Sequence, residues 1–126
     1  MAPVPPIKVV EFVRRRIDSV WALELLLLIQ RPPVRAWSKG DLVFELRASE
    51  EVVAQVLSRF ERGGLVEREK GERFRFAGGS TGLDRICDAL AAAYRERPFA
   101  VMSAINAPDD RLAALADAFR LKKRPR

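Results

Sequence analysis

The chain has no histidine and a single cysteine, Cys87, among its 126 residues. Without histidine it lacks the commonest metal ligand and the one side chain that titrates readily near neutral pH. A lone cysteine cannot close an internal disulfide or supply a spaced thiol set for zinc, which makes the cytoplasm the expected compartment. There is no long apolar run either. Residues 25–29 are all aliphatic, but Glu24 and Gln30 bracket them, and a membrane-spanning helix needs ~20 such residues. The stretch therefore reads as core, and no membrane insertion is expected. No basic segment leads into a long apolar one near residue 1, which predicts no export signal. Gly78-Gly79-Ser80-Thr81-Gly82 lacks the lysine and the spacing of a phosphate-cradling P-loop. These absences argue against an enzyme and predict neither cofactor nor metal. Cys87 reads as a small buried residue rather than a redox sensor.

What is present is an ordinary balance for a folded, mostly helical chain: 48% apolar and 32% charged residues, with a net charge of +6. The length suits one compact unit with a proper core. The positive balance sits at the ends. Lys8, Arg14, Arg15 and Arg16 face only Glu11 in the first 16 residues, and residues 120–126 hold Arg120, Lys122, Lys123, Arg124 and Arg126 without an acid. The middle is slightly acidic.

Residues 37–76 organise the rest. Ser38-Lys39-Gly40-Asp41 has the spacing of a capping box, which predicts a helix from about Lys39 with Leu42, Val43 and Leu46 on one side. Arg47-Ala48-Ser49 breaks that helix, and Ser49 is placed to cap the next one, with Glu50 and Glu51 at the positive end of its dipole. Val53, Val56, Leu57 and Phe60 then recur at i, i+3, i+4 and i+7. They predict a buried stripe, leaving Gln55, Ser58, Arg59 and Arg62 outside. Gly63-Gly64 stops the helix. Residues 65–69 and 73–76 flank Lys70-Gly71-Glu72, and the second arm alternates arginine with phenylalanine, which predicts a half-buried β-hairpin with a charged tip.

This succession of helix, turn, helix, glycine, Leu-Val and charged hairpin resembles the winged helix-turn-helix domain of bacterial transcriptional regulators. Leu42, Leu46, Ser49, Val53, Leu57, Phe60, Gly64, Leu65 and Val66 carry the likeness. It implies a mainly α fold with a small hairpin, the winged domain spanning 18–77 between an N-terminal arm with a short helix (1–17) and a C-terminal helical extension (78–126). It also implies a sequence-specific DNA-binding regulator of transcription, with double-stranded DNA as partner and a homodimer built through added helices to match inverted-repeat operators. The alternative is a winged-helix module that binds a regulatory or membrane-associated protein.

Outside that core, residues 1–6 read as a loose, proline-rich arm. Ile7, Val10, Val13 and Ile17 suit a short helix ending in the arginine run, which reads equally as a solvated face or as a patch for phosphates. Asp18 or Ser19 caps a new helix, or the first continues. Residues 20–30 supply a central apolar helix ended by Arg31-Pro32-Pro33, and residues 34–37 stand where a third strand would pair with the hairpin. Trp37 reads as a packing residue. Thr81 and Asp84 repeat the capping-box spacing before a helix with Leu83, Ile86, Leu90, Ala93 and Tyr94 on one face, interrupted at Pro98. A short helix over 99–105 follows, and a third from Pro108 presents Leu112, Leu115, Ala116 and Phe119. The basic tail reads first as a solvated end, second as an arm on DNA, and otherwise as an electrostatic contact with an acidic partner or membrane surface.

If the likeness holds, the helix over 50–62 lies in a major groove with Gln55, Ser58, Arg59 and Arg62 exposed towards the duplex. Ser49 and Lys39 meet phosphates at helix starts. Arg68, Lys70, Arg73 and Arg75 reach the backbone or minor groove from the hairpin. Glu50 and Glu51 run against this pattern unless they point aside as dipole partners.

Overall fold

The computed structural model describes residues 6–78, 82–105 and 116. The order is α1 (Pro6–Arg16), α2 (Val20–Gln30), β1 (Trp37–Ser38), α3 (Lys39–Leu46), α4 (Glu50–Arg62), β2 (Val66–Glu69), β3 (Arg73–Phe76), α5 (Leu83–Glu96) and α6 (Pro98–Ala104). The chain is mainly helical with one small antiparallel sheet. It divides into two compact units, one of Trp21–Asp84 and one that joins Met1–Val20 to Arg85–Arg126.

The unit of Trp21–Asp84 begins with α2, which is apolar almost all round and buries Ala22, Leu23, Leu25, Leu26, Leu28 and Ile29. A helix with no polar face has no side that gains from water, so burial is its only stable setting. The α3 helix starts where Ser38 Oγ accepts the Asp41 N–H at 3.0 Å. It ends at Arg47, whose backbone turns left-handed at φ 57° while its N–H donates to the Val43 carbonyl. Of the three apolar residues expected inside, only Leu42 is fully buried; Val43 and Leu46 are half-buried, and Phe44 is 78% exposed. Eight residues make barely two turns, so a single position faces the core squarely.

Ser49 Oγ then caps α4 by accepting the Val52 N–H at 3.1 Å. Val53, Val56, Leu57 and Phe60 are buried as their spacing requires. Each such side chain contributes about 1.5–3 kcal/mol relative to exposure. The helix closes on Gly63 and Gly64: the Leu65 N–H reaches back to the Phe60 carbonyl at 2.9 Å, and the Gly64 N–H to that of Glu61 at 3.2 Å. Only the left-handed φ of 80° at Gly64 lets the chain make both bonds and turn into β2.

The sheet has the order β1-β3-β2, all antiparallel, with Trp37 opposite Phe74 and Arg68 opposite Phe74 from the other side. Alternation along β2 and β3 sorts the side chains. Val66, Arg68, Phe74 and Phe76 share one face; Glu67, Glu69, Arg73 and Arg75 share the other. On the first face Val66, Phe74 and Phe76 are buried along with Trp37.

In the other unit, α1 packs against α6. Val9, Val10, Phe12 and Val13 are buried on α1, and Val101 and Ala104 on α6. Pro98 begins α6 at a position whose N–H no helix uses. On α5 the buried residues are Cys87 and Leu90, while Leu83, Ile86, Ala93 and Tyr94 are half-buried. Cys87, beside the expected stripe, is thus buried together with Leu90 of that stripe and packs as an apolar residue. The expected cap at Thr81, the helix with Leu112, Leu115 and Phe119, and the basic tail lie outside the described residues, Ala116 excepted, which is helical and buried.

Candidate functional site

The outer side of α4 is open. Gln55, Ser58, Arg59 and Arg62 are all exposed, as are Glu50, Glu51 and the cap Ser49 at its start. The same helical period that buries Val53, Val56, Leu57 and Phe60 carries these polar residues outward. Arg62 Nη1 donates to Ser58 Oγ at 2.9 Å, so two of the outward hydrogen-bonders hold each other one turn apart. Both glutamates stand in the first turn, where the helix dipole favours them.

A groove of about 430 Å³ runs between α4, the start of α3 and the hairpin. Leu57 and Phe74 form its apolar part, Ala54 and Ser58 belong to its α4 side, and Lys39, Arg68 and Glu72 are its charged members. Lys39, Ser58 and Arg68, three residues that the sequence assigns separately to DNA contact, thus meet in one place.

Most of the hairpin's arginines have partners within the chain. The hairpin's cations do not form an open basic surface, because its own acids and nearby carbonyls take most of them up. Arg68 donates from Nε and Nη2 to the two oxygens of Glu61 at 3.2 and 3.0 Å, and from Nη1 to Glu72 at 2.8 Å. Its guanidinium also lies 4.8 Å from the centroid of the Phe74 ring. Arg75 donates to Glu69 at 2.7 Å and to the Val34 carbonyl at 3.2 Å. Arg73 reaches the Ala36 carbonyl at 3.5 Å. Arg73 and Arg75 thereby tie the segment before β1 to β3, and Arg35 stacks on Trp37 at 3.6 Å within that segment. Among the described residues Lys70, at the exposed tip, is the hairpin cation that no partner holds.

These pairs leave an electrostatic trace. The Glu61 carboxyl is held below its ordinary value, chiefly by the hydrogen bond from Arg68, partly offset by desolvation and helped by the guanidinium charge. Arg68 is correspondingly pushed up by its bond to Glu61.

No family model, curated protein or solved structure matches this chain. Local chemistry therefore has to speak for the site. Glu61 and Glu72 are the two site residues absent from the sequence reading. A signal for Arg68 existed: strand alternation from the inward Val66 places Arg68 on the same face, beside the recently ended α4. Nothing comparable pointed to Glu72, whose position depends on the turn. Among the described residues no group of acids and Cys87 is placed to hold a metal ion, and no helix is long and apolar enough to cross a membrane.

Proposed function

We propose that this chain is a winged helix-turn-helix protein that binds duplex DNA sequence-specifically as a homodimeric, cytoplasmic regulator of transcription. The observation that carries the reading is the open outer side of α4, rich in hydrogen-bonding groups, standing beside a hairpin. A helix of 13 residues capped at Ser49 suits a major groove, and Gln55 and Arg59 are the side chains whose amide and guanidinium groups match adenine and guanine edges. Lys39 and the cap at Ser49 suit phosphates. At the hairpin the contact narrows to Lys70 and the solvent-facing edge of Arg68, since Arg73 and Arg75 are engaged with Glu69 and with the carbonyls of Val34 and Ala36.

Selection of bound sequences from a random duplex pool tests this. A defined consensus and affinity that falls steeply with salt are the expected result. Gln55→Ala with Arg59→Ala should relax the consensus, whereas Lys70→Ala should weaken all sequences alike and lower the salt slope by about one. Retention without any consensus would refute sequence-specific regulation, and a sedimentation mass of one chain would refute the dimer.

One observation favours a second reading, a module that docks on a basic protein surface. Phe44 is 78% exposed on α3 between Asp41 and Glu45, in a unit whose α4 also begins with two exposed glutamates. A large exposed aromatic among acids is unfavourable in water and repels phosphate. Failure to retain any duplex at low salt would select this reading over the first.

A further inference from the structure

The guanidinium of Arg68 has two edges, and a different acid holds each. Glu61 takes one edge through two parallel bonds, at 3.2 and 3.0 Å, and is only 36% exposed. Glu72 takes the other through one bond of 2.8 Å and is 83% exposed. A forked, partly sheltered pair is oriented and persistent; a single bond to a long side chain in water is held loosely and exchanges readily. The first fastens β2 to α4. The second occupies the cation's solvent-facing edge.

Three further facts bear on Glu72. It is a charged member of the groove that also contains Lys39, and Lys39 has no ion-pair partner among the described residues. Its backbone is left-handed, φ 59°, directly after Gly71 at φ 77°. Glutamate is a poor choice for that conformation, where glycine or asparagine would be accommodated at less cost, so the tip keeps a carboxylate in spite of its backbone. Finally, Glu72 is the one acid among the charged members of the groove, so without it Lys39 and Arg68 face the groove with only Glu61, outside its lining, to offset them.

We propose that Glu72 is a resident stand-in for phosphate: its carboxylate fills the anion position at the solvent-facing edge of Arg68, in the groove that Lys39 also lines, and a phosphodiester oxygen of a bound duplex displaces it. This rests on the DNA-binding reading above. Carboxylate and phosphate oxygens accept from the same guanidinium edge, so the exchange needs only a swing of the Glu72 side chain into water, while Glu61 keeps Arg68 aimed into the groove. The cost of displacing a resident acid lowers affinity for every duplex equally. That makes weak, non-specific encounters short-lived and leaves discrimination to the side chains of α4.

Glu72→Gln tests it, since it keeps the length and backbone of the side chain and removes the charge. Binding of a mixed-sequence duplex should tighten roughly three- to tenfold at low ionic strength, with a salt slope steeper by about one. Lys39→Ala added to Glu72→Gln should cancel most of the gain. Glu67→Gln makes the same change in net charge on the opposite face of β2 and should move affinity far less. If the unaltered chain binds duplex and Glu72→Gln leaves affinity and slope unchanged, or matches Glu67→Gln, the stand-in is overturned and the DNA reading stands. If neither the unaltered chain nor Glu72→Gln retains duplex at any salt, both are overturned together. Far-UV circular dichroism confirms that each variant is folded.

Discussion

Gly64→Ala isolates a backbone term with little else attached. A Cβ at this position would meet nothing within 4 Å, so no steric clash enters the outcome. What remains is the left-handed φ of 80°, which costs an L-residue roughly 1–2 kcal/mol that glycine does not bear. The alanine chain is stiffer when unfolded and recovers about 0.4–1 kcal/mol of that. The net expected loss is about 1 kcal/mol. Gly64→Asn should lose less, because asparagine tolerates the left-handed region. Trp21 and Trp37 are the two tryptophans and both lie in the unit of Trp21–Asp84, so intrinsic fluorescence reports on the unit that contains the change. With a urea dependence of about 2 kcal/mol per molar, the midpoint should fall by roughly 0.5 M for alanine, and by less for asparagine. An alanine variant with a midpoint at or above that of the unaltered chain would refute the reasoning. So would asparagine proving worse than alanine, since the left-handed turn would then not be what Gly64 supplies.

Two other outcomes follow from the same unit. Ser49→Ala removes the oxygen that accepts the Val52 N–H and should destabilise by about 1 kcal/mol, whereas Ser49→Asp should restore the loss; equal midpoints for all three would mean that the cap contributes nothing. The lowered Glu61 carboxyl makes the attachment of the hairpin to α4 dependent on acid. Because the folded value lies below the unfolded one, the contribution is complete above the unfolded carboxylate range of about 4.3 and disappears as pH falls through the folded value. Amide exchange of β2 should therefore accelerate on acidification in the unaltered chain and respond less in Glu61→Gln; an identical acid response in both would show that the Arg68 pair does not hold the strand.

Much of the architecture was legible because it is written in short-range patterns. Ser38 and Ser49 sit immediately before apolar periods that only a helix satisfies, and both cap as expected. The Arg-Phe-Arg-Phe alternation has one reading, a strand with one face in the core, and β3 obeys it. A third strand was expected over residues 34–37; it forms at Trp37–Ser38 and shares only Trp37 with that stretch. Where the periodicity misled, the reason was packing. On α5 Leu83, Ile86, Ala93 and Tyr94 are only half-buried, and on α3 Val43 and Leu46 are half-buried while Leu42 alone is buried fully.

The site followed a different rule. That Gln55, Ser58, Arg59 and Arg62 would face solvent was decided within one helix, by its 3.6-residue repeat, and needed no knowledge of the rest of the chain. Which cations remain available was settled between elements: Glu61 on α4 meets Arg68 on β2, Glu72 at the tip meets the same guanidinium, and Arg73 and Arg75 find carbonyls at Val34 and Ala36, some 40 residues earlier in the chain. Counting charges along a sequence assigns each to its residue alone. Folding assigns it to a neighbour, since a guanidinium presents several donors to whatever acceptor the backbone brings within about 3 Å, and only the tertiary arrangement names that acceptor.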